Sequence, residues 1–338
     1  MEKDPARVLL DVQDLAVEFR TSDGVLEALS GVNFKVRKGE VVAVVGESGS
    51  GKSVTALAVM GLLGNGRVSA GRVMWDDYTD LAQARPKNFR AIRGNDIAMI
   101  FQDPMTSLDP LYTVGNQLSE ALRLHSKISK KEARAEAIKL LGMVGIPNPE
   151  SKVDAYPHQM SGGQRQRVMI AIALACSPRM LIADEPTTAL DVTVEAQVLA
   201  LLRNLQQEKG VSLMLITHDI GVVAEMADRV VVFYAGRVAE QGPVDEVLHN
   251  PRHPYTRALL EAIPRPTTPR DEPMPAIPGN VPALHEMPTG CRFAPRCRLA
   301  HDACVQQPPA FEITPDHSAA CWLATDERAD LSLEGSRA

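Results

Sequence analysis

No apolar run in these 338 residues approaches the eighteen or more that a membrane-spanning helix needs; those present are short, such as Val41-Val42-Ala43-Val44-Val45. A basic excess is missing too. Lys and Arg number 36 against 42 Asp and Glu, a formal charge of −6, which argues against a chain held to nucleic acid by a broad basic face. The opening Met1-Glu2-Lys3-Asp4-Pro5 lacks the apolar stretch of a secretory signal. A cytoplasmic protein is expected, one that can still sit against a membrane protein. Neither heptads nor an internal repeat is found, which speaks against coiled-coil arms and tandem copies of one domain. Cysteine is scarce, five in all.

What is present divides unevenly. The chain exceeds one ordinary domain, and 45% apolar with 23% charged residues is the balance of a soluble protein with a real core. Fifteen of the 24 prolines lie between Pro243 and Pro315, where long helices and central strands are excluded. A boundary is therefore expected near 245, with a first domain over 1–245 and a loop-rich appendage over 246–338. Before it, short apolar runs alternate with helical stretches, the pattern of an α/β layered fold. Segments 8–19 and 28–36 alternate apolar and polar residues, as half-buried antiparallel strands do. Segments 41–45, 180–183, 213–216 and 230–233 are continuously apolar, as strands buried on both faces are. Between about 103 and 165 the pattern turns helical. Ser129 and Glu132 form a capping box, Ala133, Ala137, Leu140, Leu141 and Val144 a stripe, and Gly145 with Pro147 a stop. This block reads as a helical subdomain inserted in the core.

Gly46-Glu47-Ser48-Gly49-Ser50-Gly51-Lys52-Ser53 fits G-x-x-x-x-G-K-S and directly follows the run 41–45. Glycines let the backbone wrap phosphate with converging N–H groups, and a helix starting near Lys52 adds its positive end. Lys52 is placed to reach the β- and γ-phosphates and the Ser53 hydroxyl to ligate Mg²⁺, with Val54 completing the cofactor-binding stretch. Alone, the loop says only nucleotide. A second apolar strand, Met180-Leu181-Ile182-Ala183, ends in Asp184 and Glu185, and carboxylates at a strand's carboxyl end face the ligand crevice of an α/β sheet. Asp184 suits Mg²⁺ held through water; Glu185 suits orienting or deprotonating an attacking water. Ser161-Gly162-Gly163-Gln164 follows Met160 and opens a helix over 165–175, a second anion cradle.

In these three motifs the chain resembles the ATP-binding subunits of ABC transporters along nearly its whole length, with Met160 where that family has Leu. The resemblance implies an α/β P-loop NTPase (RecA-like) core with an antiparallel β subdomain and an inserted helical subdomain, and it implies ATP hydrolysis. It also implies that Ser161, Gly162, Gly163 and Gln164 cap the γ-phosphate held by the loop of a second subunit in a head-to-tail dimer. Phe19 matches the ring that stacks on adenine. Gln102 matches the glutamine that touches Mg²⁺ and the attacking water. Ala189-Leu190-Asp191 matches the loop that crosses the dimer interface, and His218 the histidine that contacts the γ-phosphate. The catalytic candidates are thus Glu185, His218 and Gln102, and the Mg²⁺ set is Ser53, Gln102 and Asp184.

Asn250-Pro251-Arg252-His253-Pro254-Tyr255 and Asp103-Pro104-Met105-Thr106-Ser107 resemble segments of the ATPase subunits of dipeptide, oligopeptide and nickel importers. No chemistry in them reads a peptide, so the cargo is implied by resemblance alone. Cys291, Cys297, Cys304 and Cys321, with five, six and sixteen residues between them, can complete a tetrahedral Zn²⁺ site or hold a [4Fe–4S] cluster. Without a C-x-x-C pair the spacing fits zinc knuckles poorly, and the resemblance implies the cluster. Such a group would staple a Pro-rich tail with little core of its own. Cys176, among apolar neighbours, reads as a small core residue. The resemblance further implies a second, related but different ABC ATPase subunit, two integral-membrane permease subunits and an extracytoplasmic substrate-binding protein. The chain is then expected on the cytoplasmic face of the inner membrane, peripheral, with no nucleic acid partner. A nickel importer, a soluble ABC ATPase and a metal-sensing module are the alternatives.

Overall fold

The structure is a computed structural model that describes residues 7–22, 24–76, 79–103, 107–188, 190–263 and 276–326. The chain forms two compact units: one comprises Ala84–Ile216 with the turn Arg37–Glu40, the other Val8–Val36, Val41–Gln83 and the residues from Thr217 onward.

In the first unit three strands, Ile97–Ile100, Met180–Asp184 and Ser212–Ile216, run parallel, with Ile97 opposite Met180 and Met180 opposite Ser212. Every residue in them is buried, which explains why they are apolar except for Asp184 and Ser212 at strand ends. The helix Lys130–Met143 carries the expected box, Ser129 Oγ accepting from Glu132 N–H and Glu132 Oε2 from Ser129 N–H. Its stripe faces inward, with Ala133, Ala137 and Leu141 fully buried. The helix after the Ser-Gly-Gly motif starts earlier than the sequence suggests. It spans Gly162–Leu174, because Ser161 is itself the N-cap and Gln164 completes a second box.

In the second unit a four-stranded sheet has the order Gly24–Arg37, Val8–Thr21, Gly66–Trp75, Thr79–Asp80. Val8–Thr21 pairs antiparallel with Gly66–Trp75, a strand the sequence pattern did not announce, since Gly66, Ser69 and Gly71 break its alternation. Another ladder runs Phe311–Thr314, His317–Ala319, Arg237–Pro243, Arg229–Tyr234, Val41–Val45. Only the last pair is parallel.

The Pro-rich tail departs from expectation. It supplies two short strands, of four and three residues, at the ladder's outer end, where prolines on either side do no harm. It also owns part of a core: Phe293 meets Tyr234 at 5.2 Å and Tyr255 at 5.4 Å between ring centroids, and Ile277, Val281 and Met287 pack on the same cluster. A fully buried side chain such as Phe293 contributes roughly 2 kcal/mol and the partly buried ones less, so the tail is not held by its cysteines alone.

A buried carboxylate anchors the tail motif. Glu240 accepts from the N–H groups of Arg252 and His253 at 2.8 and 3.0 Å and meets His317 Nε2 at 2.8 Å. His253 in turn caps the helix Pro254–Glu261, its Nδ1 accepting from Tyr255 N–H at 3.0 Å. Burial holds the His253 imidazole down at about 4, against the usual 6.5, with Glu240 opposing. Below pH 6.5 the unfolded chain takes this proton while the folded chain refuses it until about 4. Stability therefore rises with pH across that window and is level above it. Acidification through the window is expected to remove about 3 kcal/mol through this residue. Denaturant midpoints measured above and within the window test this. His253→Asn, which keeps a capping acceptor but cannot titrate, should lose less; equal losses would contradict the assignment.

Candidate functional site

In the second unit the strand Val41–Val45 runs straight into the loop 46–53, and the helix Lys52–Val59 leaves it. Gly51 is the N-cap in a left-handed conformation, φ 103°, and a Cβ there would meet Leu29 Cδ2 at 2.5 Å. Only glycine fits both demands. Lys52 is buried, and its ammonium donates to the carbonyls of Gly46 and Glu47 at 2.8 and 2.9 Å. Ser48 and Gly49 are exposed, Ser53 and Val54 half-buried. Ser50 Oγ is buried with no hydrogen-bond partner, the kind of group an anion oxygen in the loop would satisfy. Phe19 is half-buried, its ring lying against Gly66 across the sheet; a Cβ on Gly66 would meet Phe19 Cε1 at 2.7 Å. His218 is exposed just past Thr217, and Asp219 caps the next helix through the N–H groups of Gly221 and Val222.

In the first unit two of the three residues read as catalytic, Gln102 and Glu185, come together. Gln102, two residues past the strand Ile97–Ile100, donates from Nε2 to Glu185 Oε2 at 2.8 Å although 83 positions separate them. Thr188 Oγ1 donates to the same oxygen at 2.9 Å. Glu185 holds a left-handed backbone, φ 46°, a strain that side chains other than glycine adopt where the surrounding structure enforces it. Its N–H donates to Ile216 O at 2.9 Å, which fixes the turn. Asp184 is the last residue of its strand and is buried.

The Ser161 motif connects to this turn through a residue that sequence reasoning missed. Gln166, buried in the helix Gly162–Leu174, donates to Pro186 O at 2.6 Å. Only an uncharged polar residue inside an apolar helical face could have signalled it. The glycines of the motif divide their roles. A Cβ on Gly163 would strike Val194 Cγ1 at 2.7 Å, so Gly163 serves helix packing, whereas Gly162 faces open space. Asp191 caps the helix Val192–Lys209 by accepting from Val194 N–H at 3.0 Å. Ala189, and Pro104 to Thr106, lie outside the described residues.

The four tail cysteines converge. Cys291, Cys297, Cys304 and Cys321 all line one small apolar cavity beside Phe293 and Trp322. All are free thiols, and burial pushes Cys291 up, Cys297 to about 11 and Cys321 to about 12, which keeps these three protonated and unreactive as thiols. The expected staple is not preformed: among the described residues no three His, Cys, Asp or Glu side chains are arranged to hold a metal ion. Cys176 is half-buried rather than in the core, its thiol donating to Ala121 O at 3.5 Å.

A family model described as ABC transporter matches residues 29–188, and one described as the C-terminal region of oligopeptide/dipeptide transporters matches 239–304. The dipeptide transport ATP-binding protein of Bacillus subtilis is 50% identical over 328 residues, 96% of this chain and 97% of that protein. The chain belongs to the ABC transporter ATP-binding proteins. The oligopeptide transport ATP-binding protein of the same organism is 49% identical over 318 residues, 93% of this chain and 88% of its own length. Among solved structures, an ABC cassette captured as a dimer after hydrolysis with ADP and phosphate matches with a TM-score of 0.63 at 29% identity. That match covers 70% of this chain and 99% of the cassette. As an ABC ATPase the protein hydrolyses ATP in support of transport and works with membrane permeases. No helix among the described residues is long and apolar enough to cross a membrane.

Proposed function

We propose that this subunit powers the import of dipeptides or oligopeptides from the cytoplasmic face of the inner membrane. The observation that carries the cargo class is the match of 239–304 to the C-terminal region of oligopeptide/dipeptide transporters, together with relatives named for those cargoes. Its partners in this reading are a second, related ATPase subunit, two permease subunits and an extracytoplasmic binding protein. The chain divides at about 245 into cassette and extension, with the helical subdomain over about 103–165. Reconstitution with its permeases in vesicles tests the cargo: ATP-driven uptake of labelled peptide is expected, and uptake of Ni²⁺ without peptide would overturn the reading.

The hydrolytic roles follow from the chemistry of each side chain. Lys52, the loop amides and the Ser50 hydroxyl bind phosphate oxygens, and Phe19 offers a half-exposed ring face to adenine. Ser53, Asp184 and Gln102 offer the hard oxygen donors that Mg²⁺ takes, and the ion, when bound, neutralises phosphate charge. Glu185, held by Gln102 and Thr188, orients and deprotonates water, while His218 contacts the γ-phosphate. Ser161, exposed Gly162, Gly163 and Gln164 act on the nucleotide of a second subunit; the dimeric cassette among the similar structures supports this arrangement.

For the cysteines this reading keeps a [4Fe–4S] cluster ahead of Zn²⁺. A single zinc would draw its thiolates to about 3.8 Å apart, given Zn–S near 2.3 Å. A cluster spreads four thiolates more widely around a shared cavity lined by all four cysteines. Anaerobically purified protein is expected to absorb broadly near 400 nm and to carry roughly four irons. Each single Cys→Ser change should bring iron close to zero. A colourless protein with one zinc would replace the cluster by zinc, and no metal with unchanged protease resistance of the tail would defeat both.

A further inference from the structure

Glu47 is the second residue of the phosphate loop, a position the G-x-x-x-x-G-K-S pattern leaves open to any side chain. Here it is held at three points, two of them from the C-terminal extension. Arg296 grips its carboxylate with both ends of the guanidinium, Nη1 to Oε2 at 2.6 Å and Nη2 to Oε1 at 3.0 Å. The Glu47 N–H donates to Tyr255 Oη at 2.9 Å, and its carbonyl accepts from Lys52 Nζ at 2.9 Å. The arginine is itself built in. It is buried, donates from Nε to Pro278 O at 2.8 Å and from Nη1 to Tyr234 Oη at 3.3 Å, and lies over the Tyr234 ring. A second arginine supports the other side of the loop. Arg292 donates to Ala235 O and pairs with Glu27 at 2.9 Å, and the neighbouring Gly236 N–H donates to Ser50 O at 2.8 Å.

We propose that Arg296 and Tyr255 are positioning residues for nucleotide binding: the C-terminal extension sets the shape and charge of the phosphate loop by holding Glu47. A bidentate charge-assisted pair on a buried arginine fixes its partner far better than a lone surface contact, so the backbone at 46–47 is preset for the anion. The same pair cancels a negative charge that would otherwise stand inside an anion-binding loop. Without Arg296, Glu47 becomes a carboxylate turned loose beside a triphosphate. The extension thereby acts on the ATPase from within one chain.

This inference rests on the reading that 46–53 binds the nucleotide phosphates. The test is equilibrium binding of Mg·ADP and Mg·ATP to the full-length chain. Lys52→Ala serves as the check on that underlying reading: if it leaves affinity unchanged, the loop assignment fails rather than the positioning role. Given a weakened Lys52→Ala, Arg296→Ala is expected to raise Kd about tenfold, with Arg296→Lys intermediate because it keeps charge without the fork. The double change Arg296→Ala with Glu47→Gln should recover most of the loss, since the uncompensated carboxylate is gone. A purely structural role for Arg296 would show no such recovery, and that outcome overturns the proposal, as does a wild-type Kd in Arg296→Ala. Should Arg296→Ala fail to fold, Tyr255→Phe decides. It removes one buried oxygen without changing ring volume and is expected to weaken binding about threefold or more, through the unpaired Glu47 N–H. Wild-type affinity in that variant contradicts the proposal.

Discussion

Glu185→Gln is expected to bind Mg·ATP with wild-type affinity and to lose about 100-fold or more of its steady-state hydrolysis, the usual worth of a positioned general base. Two hydrogen bonds to the carboxylate arrive at Oε2, from Gln102 Nε2 and Thr188 Oγ1. An amide in its place keeps size and shape but cannot take a proton, and if its NH₂ faced those donors both contacts would fail. Lys52 and the loop amides are untouched, so binding and chemistry separate. In the assembled transporter the variant should accumulate with ATP bound. Hydrolysis within about twofold of wild type would remove Glu185 from the catalytic role and leave the strained turn without a functional reason.

Lys52→Ala should do the reverse, weakening Mg·ATP binding about 10- to 100-fold, as the loss of a buried charged donor predicts. Its ammonium is a point charge on a buried stem, already directed by the carbonyls of Gly46 and Glu47. Truncation takes away the cation and leaves those two carbonyls without this donor, so the loop itself loosens. Titration with nucleotide under non-hydrolysing conditions, on the Glu185→Gln background, isolates the effect from turnover. Affinity equal to that of the parent would mean that the backbone amides alone hold the phosphates.

Much of this protein is legible in its sequence. The fully buried strands Val41–Val45, Met180–Asp184 and Ser212–Ile216 are announced by the apolar runs 41–45, 180–183 and 213–216, because a strand covered on both faces leaves little place for polar residues. The helix Lys130–Met143 was announced by Ser129, Glu132 and the stripe from Ala133 to Leu141, since capping and helical periodicity act within one or two turns. The phosphate loop was legible because its glycines answer a local demand, as the left-handed φ of Gly51 makes plain. Less legible was the strand Gly66–Trp75, whose hydrogen bonds come from Val8–Thr21 rather than from any pattern of its own.

The sequence by itself determined the chemistry available: a phosphate loop, a pair of carboxylates after an apolar strand, a Ser-Gly-Gly cap and four late cysteines. Tertiary structure alone decided which of these groups meet. It set Gln102 on Glu185, Gln166 on Pro186 and His317 on buried Glu240. It also brought Arg296 to Glu47 across 249 positions and put a core under a tail that composition had read as loops. The reason is physical. Propensity and capping are settled among neighbours in sequence, whereas a buried charge finds its partner only when strand order and packing have fixed which distant backbone lies beside it.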